Sequence, residues 1–395
     1  MRKRRRTKRR TGSLKCFDFF CGAGGLTRGL LDAGIRVVAG IDYDEQCRRS
    51  YERNNEGAKF IAKDIREITI AELKRLAGAE SFGEMLFAGC APCSPFSQKR
   101  KAPEPSNDLT LLMEFGQIVA KAKPGYVLIE NVPGMASVPG YSTFRRFVRL
   151  LENNGYRNRI VGEVLDAKRF GVPQTRRRLV LIATRRGTPS LPKPRYGSKR
   201  RPFKTVRQTI TRFPILRAGY EHTKIKNHVA STVTPINVER LIATPEDGGD
   251  RRDWPRRLRL ACHARGYDGH TDAYGRMWWD APAPTLTGRC HSISNGRYAH
   301  PAQRRGISLR EAAALQTFRD SYEFFGPHNH IAMQIGNAVP VRLGKELGKH
   351  ILRLKKQTDQ QRRGRRNGKK VNALPKDPAG TTLGTEITAH RSASG

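Results

Sequence analysis

From Leu14 to about Thr184 the chain alternates short apolar runs with stretches whose apolar residues recur every three to four positions, and few folds satisfy that rhythm. LKCFDFF, RVVAGI, EMLFAG, YVLIE and RLVLIAT have the length and composition of buried strands. Between them, LTRGLLDAG, EQCRRSYERN, LLMEFGQIVAKA and TFRRFVRLLENNG carry the spacing of amphipathic helices. Strands alternating with helices predict an α/β fold with a mainly parallel sheet covered on both faces. From about Arg185 the rhythm fails, and Pro, Gly, Arg, Trp and His punctuate a smaller irregular region. SLREAAALQTF and VRLGKELGKHILRLKK then read as helices that return to the main domain. The expected division is a basic disordered arm (1–13), a main domain (14–184), an irregular domain (185–285), a return (286–355) and a polar, disordered tail (356–395).

Charge narrows the partners. Lys and Arg number 75 against 35 acidic residues, a net +40. So much positive charge repels itself unless a polyanion lies against it, and nucleic acid is the usual one. Basic ends contribute (MRKRRRTKRR, and QQRRGRRNGKK later), yet GSKRRPFKTVRQTITR and RRDWPRRLRL keep the middle basic too. The 7 cysteines have no disulfide-scaffold spacing and fit a reducing compartment. No apolar run approaches the ~18 residues of a membrane span, and no signal-peptide pattern follows the first arginines. A soluble, cytoplasmic, nucleoid-associated protein is expected, with a monomer the simplest assembly.

Three segments carry chemistry. LKCFDFF runs into Cys21-Gly22-Ala23-Gly24-Gly25 and a helix, and such glycines let a backbone turn tightly against a ligand. Position 27 is Thr27 where a dinucleotide fingerprint has glycine, so alone the loop fits a nucleotide-type site or a structural turn equally well. The next strand ends at Asp42, placed to accept ribose hydroxyls, and the third ends near Asp64-Ile65, where a carboxylate could meet an adenine amino group. Gly89-Cys90-Ala91-Pro92-Cys93 follows the fourth strand. A thiol held beside proline at the carboxyl end of a sheet suits a nucleophile, while Cys90 and Cys93 together also suit a redox dithiol or half a zinc site. Cys262-His263 and Cys290-His291 match no common zinc spacing, so no metal is expected. The fifth strand ends in Glu130-Asn131, suited to acid work on a ring nitrogen though also to a solvated end-cap. Gln174-Thr175-Arg176-Arg177-Arg178 precedes another strand, its alternate arginines able to anchor a base carbonyl, a phosphate or the Glu itself.

FDFFCGAGGLT, APCSPFS, ENVPG, QTRRR and QIGNAVP stand in the order of the cytosine-5 DNA methyltransferase motifs, and SLREAAALQTF resembles the penultimate one. The resemblance spans roughly residues 14 to 352. It implies a Rossmann-like, S-adenosylmethionine-dependent methyltransferase domain with 185–285 as target-recognition domain, acting on double-stranded DNA. Phe20 with Gly22, Gly24, Gly25 and Leu26 would line S-adenosylmethionine. Asp42 would hold the ribose, Tyr43 and Ile65 would flank the adenine with Asp64 at its amino group, and Asn337 and Ala338 would complete the pocket. Cys93 would be the nucleophile, Glu130 would contact cytosine N3 and its amino group, Arg178 would reach O2, and Arg176 joins this catalytic set. Ser94 stands where many members carry Gln, PEPSNDLT lacks a common Asp-Pro-Arg run, and Met333 and Arg319 replace commoner Arg and Pro. None removes a group the reaction requires. Within the recognition stretch Arg200, Arg201, Arg251, Arg252, Arg256 and Arg257 are candidate DNA contacts. An RNA cytosine methyltransferase and a catalytically silent DNA-binding relative are the competing readings.

Overall fold

The computed structural model describes residues 13–92, 108–137, 143–261 and 272–366. The apolar runs become strands β1 (Lys15–Phe19), β2 (Arg36–Asp42), β3 (Lys59–Ala62), β4 (Met85–Gly89), β5 (Tyr126–Asn131), β6 (Ile160–Asp166) and β7 (Arg177–Thr184). They form one 7-stranded sheet in the order β3-β2-β1-β4-β5-β7-β6. β1 to β5 are parallel, whereas β7 runs antiparallel to both β5 and β6. "Mainly parallel" therefore holds for one side of the sheet, and the antiparallel pair closes the other.

Helices α1 (Gly25–Ala33), α2 (Arg48–Asn54), α3 (Ile70–Ala77), α4 (Asp108–Ala122), α5 (Gly134–Ser137) and α6 (Thr143–Leu151) follow the strands. The strand period of two sends neighbours to opposite faces. Leu86, Leu128, Val180 and Ile182 join one core with Leu26 and Leu30 of α1, while Phe87, Val127, Ile129 and Leu181 join another with Leu73, Phe115 and Phe147. The carboxyl edge, where β1, β2, β4 and β5 all end, is the edge the motifs occupy.

The irregular lobe contains α7 (Val206–Ile210) and α8 (Pro235–Ala243), and the return contains α9 (Leu309–Leu315), α10 (His328–Asn337) and α11 (Val341–Arg366). With no sheet of its own among the described residues, the lobe leaves many buried carbonyls to satisfy, and arginines do it. Arg276 donates to the carbonyls of Leu241, Thr244, His300 and Gln303. Arg305 forks onto Glu311 at 2.7 and 2.8 Å, both side chains fully buried. Arg310 ties Lys226, Asn227 and Tyr322 to α9.

α11 packs along α1, and a Cβ on Gly29 would stand 2.6 Å from the Val341 carbonyl, so only glycine permits that approach. One expectation is corrected here: the chain does not turn irregular at 356, because α11 continues to Arg366. Lys355–Asp359 at 2.9 Å and Arg362–Glu84 at 3.0 Å support the added turns.

Candidate active site

Beyond β1 the backbone turns through left-handed positions at Phe20 (φ 60°), Gly22 (φ 49°) and Gly24 (φ 87°) before α1 begins. A bulky residue such as Phe20 adopts that region only under constraint. The constraint is visible: the Phe20 and Cys21 amides both donate to the Ile41 carbonyl, at 2.8 and 3.2 Å, and Gly22 N–H donates to Asp42 Oδ2 at 2.7 Å. A Cβ on Gly22 would meet nothing within 4 Å, whereas one on Gly25 would stand 2.5 Å from the Val339 carbonyl. The loop thus has open space at Gly22 and packs at Gly25 against the residues after α10.

Asp42 also accepts Asp44 N–H at 3.0 Å, and burial raises its pKa from the ordinary carboxylate value. Tyr43 beside it is 72 % exposed at the same edge. Lys63 N–H bonds the Asp42 carbonyl, which brings Asp64 and the buried Ile65 to the same edge. Asp64 is already engaged: Arg66 grips it at 2.8 and 2.6 Å and holds its pKa down to about 2. Asn337 is exposed and Ala338 half-buried where α10 ends, next to Gly25. The glycine loop thus meets Asp42 through Gly22 and Ala338 through Gly25, and the Lys63 amide ties the segment before Asp64 to Asp42.

Asp18 escaped the sequence reading. It sits fully buried in β1, accepts the Thr27 hydroxyl through Oδ2 at 2.6 Å, and has no partner at Oδ1. Burial pushes its pKa up to about 7. The signal was present as a lone acid inside the apolar run LKCFDFF.

One strand further, β4 leads into Cys90 and β5 ends at Glu130-Asn131. Asn131 Nδ2 donates to the Ala91 carbonyl at 3.1 Å and so anchors the start of the loop that carries Cys93. Cys93 itself, with Ser94, lies outside the described residues. Glu130 is 6 % exposed, and Arg178 Nε stands 3.2 Å from its Oε1. That contact is ionic without hydrogen-bond alignment, for Oε1 is buried and has no hydrogen-bond donor. The Cys90 thiol is held protonated, burial acting first and the Glu130 charge second.

Arg176 has a different placement from Arg178. Its guanidinium donates to the carbonyls of Leu286 (2.8 Å), Gly336 (3.2 Å) and Ala338 (3.2 Å). Burial, with Arg178 nearby, lowers its pKa to about 9. Gln174 joins this clamp by bonding Gln316 at 3.0 Å and accepting Leu286 N–H at 3.0 Å, and Gln316 in turn donates to the Ile335 carbonyl at 2.7 Å. The sequence reading singled out the segment QTRRR for its arginines and missed the two glutamines.

Asp44, Cys47 and His330 bring metal-type donor atoms within 4.8 Å of one another. They bond each other instead, His330 Nε2 to Asp44 Oδ2 at 2.8 Å and the Cys47 thiol to the same oxygen at 3.5 Å, a latch between the β2–α2 connection and α10. Of the candidate DNA contacts, Arg200, Arg201, Arg252, Arg256 and Arg257 are exposed. Arg252 pairs with Asp250 and Arg257 with Glu239. Arg251 is 7 % exposed and belongs to the lobe's interior, a correction to the reading that grouped it with them.

A family model described as C-5 cytosine-specific DNA methylase matches residues 14–353. The type II methylase M.HgiDII of Herpetosiphon aurantiacus is 39% identical over 342 residues, 85% of this chain and 94% of its own. The type II methyltransferase M.PspPI of a Psychrobacter strain is 31% identical over 370 residues, 92% of this chain and 81% of its own. Among solved structures, a DNA modification methyltransferase encoded within an E. coli prophage superimposes with TM-score 0.65 at 20% identity, covering 87% of this chain and 100% of that one, a likeness of fold. The chain belongs to the C-5 cytosine-specific DNA methylase family and is a DNA cytosine methyltransferase.

Proposed function

We propose that the chain methylates C5 of cytosine within one short sequence of double-stranded DNA, through a covalent bond between Cys93 and C6 of a base turned out of the helix. The observation that carries this reading is Glu130: a buried carboxylate at the carboxyl end of β5, lacking a hydrogen bond at Oε1, beside Arg178 and one strand from the segment leading to Cys93.

C5 of cytosine is a weak nucleophile. Addition of the Cys93 thiolate to C6 breaks the ring's aromaticity and moves electron density onto C5. Glu130 contacts N3 and the exocyclic amino group and neutralises the charge that develops at N3, which lowers the cost of that addition. Arg178 donates to O2 and keeps Glu130 in place. Once C5 carries the methyl group, its proton passes to solvent, the C6–S bond breaks, and the thiolate leaves as the ring's aromaticity returns. S-adenosylmethionine supplies, when bound, the electrophilic methyl group that C5 takes up. The carboxyl edge suits such a molecule: Asp18 Oδ1 is a buried anion site without a partner, Gly22 faces open space, and Asp42 offers a carboxylate to ribose hydroxyls. Phe20, Gly24, Gly25, Leu26, Tyr43, Ile65, Asn337 and Ala338 would complete its walls. Asp64 would meet the adenine amino group with the oxygen face that Arg66 leaves open.

The ring faces of a stacked base are covered, so the base must leave the duplex at a cost of a few kcal/mol. Phosphate contacts from the exposed arginines of the 185–285 lobe offset that cost. The names of the relatives favour a type II restriction-modification setting.

A duplex carrying 5-fluorocytosine tests the covalent step, because C5 then bears no proton to lose and the adduct cannot collapse. With cofactor present, the wild type is expected to give a denaturation-stable protein–DNA species. Cys93→Ser should give none while still binding the duplex. Full methylation of ordinary DNA by Cys93→Ser would remove Cys93 from this role.

A further inference from the structure

The sheet's opposite, amino-terminal edge carries a feature the reaction does not use. Lys349, Arg353, Lys356 and Arg363 fall at i, i+4, i+7 and i+14 on α11 and are all exposed. Leu347, Ile351, Leu354 and Thr358 occupy the opposite side of the helix and are buried. The basic row spans about 20 Å at 1.5 Å per residue. Its position is fixed by its neighbours: Gly348 packs on Ala33 at the end of α1, and Arg362 reaches Glu84 just before β4. A shallow groove beside the last turns is lined by Ser13, Lys15, Glu84, Lys355, Arg362 and Arg363. Glu84 is shared among Arg186, Lys355 and Arg362, so cations outnumber acids there.

The carboxyl edge, where Asp42 and Glu130 sit, lies a strand length away, ~17 Å for five residues. A straight duplex with its base at that edge does not run along the α11 row.

We infer that the amino-terminal edge of the sheet is a second, sequence-independent surface for the phosphate backbone of duplex DNA, through which one molecule holds two duplex segments at once. The inference rests on the family's DNA substrate and adds a partner surface on the far side of the fold. From Lys349 to Arg363 this helix carries six Lys and Arg against only Asp359.

The test loads the full-length protein onto an immobilised duplex containing a target site and adds a labelled duplex without one. Light scattering determines how many protein copies bridge the two. The wild type should retain the second duplex as a single copy, and the retention should fall steeply with salt. Replacing Arg353, Lys356, Arg362 and Arg363 by Gln should reduce that retention several-fold and lower its salt slope by about 3. Turnover on a short single-site duplex should stay within about twofold, which shows the variant is folded and the methyltransferase reading intact. Undiminished retention by the α11 variant, retention only by protein dimers, or a fall in single-duplex affinity without any bridging would each overturn the inference.

Discussion

Asp18 is a carboxyl that the fold keeps away from water and from any second hydrogen bond, and its pKa near 7 follows from that. A carboxyl raised from 3.8 to about 7 binds a proton more tightly in the folded than in the unfolded chain. Its contribution is therefore unfavourable to folding as pH rises from about 4 through 7, by an amount on the order of a few kcal/mol. The cofactor-free protein should lose stability between about pH 4 and pH 7, and Asp18→Asn should flatten that slope in thermal melts. An unchanged slope in Asp18→Asn would assign the loss to other groups. At this scale the sequence announced the reactive residues through their motifs: Glu130 and Arg178 do come together, and Asp42 does meet the glycine loop. It did not announce Asp18's burial or Asp64's engagement with Arg66, since burial and pairing depend on neighbours distant in the chain or on side-chain choice.

At the scale of elements, Arg176 shows how a motif can mix roles. Arg178 faces Glu130, but Arg176 two residues earlier joins the segment before β7 to Leu286 and to the end of α10. It positions the wall formed by Asn337 and Ala338 against the glycine loop. Arg176→Met leaves three buried carbonyls without their donor and should cost about 2–4 kcal/mol in denaturant unfolding. Arg176→Lys, lacking the fork, should recover less than half of it. Loss of activity in Arg176→Met with stability within about 0.5 kcal/mol of wild type would instead give Arg176 a direct catalytic contact. Helices and parallel strands were legible because their apolar period is strong. β6 was not, since IVGEVLD is an edge strand with only Leu165 fully covered. The last turns of α11 were not either, because polar residues held by ion pairs leave no apolar period to read.

For the whole molecule, the +40 charge divides into three populations that composition alone cannot separate. Arg276, Arg305 and Arg310 are interior parts that stand in for a missing sheet. Arg200, Arg201, Arg256 and their neighbours are exposed on the irregular lobe, and the α11 row lies at the far edge. The strand rhythm stops after β7, and the contact of α11 with α1 brings the end of the described chain back to the sheet. The target sequence was not readable, because it depends on which lobe side chains reach base edges. The central claim is methyl transfer to cytosine in DNA. It is tested most directly by incubating the protein with labelled S-adenosylmethionine and unmethylated duplex DNA, with RNA alongside, followed by bisulfite sequencing. The account predicts label on DNA and protected cytosines confined to one short sequence. Label on RNA alone, or none on either while cofactor and DNA both bind, would contradict it.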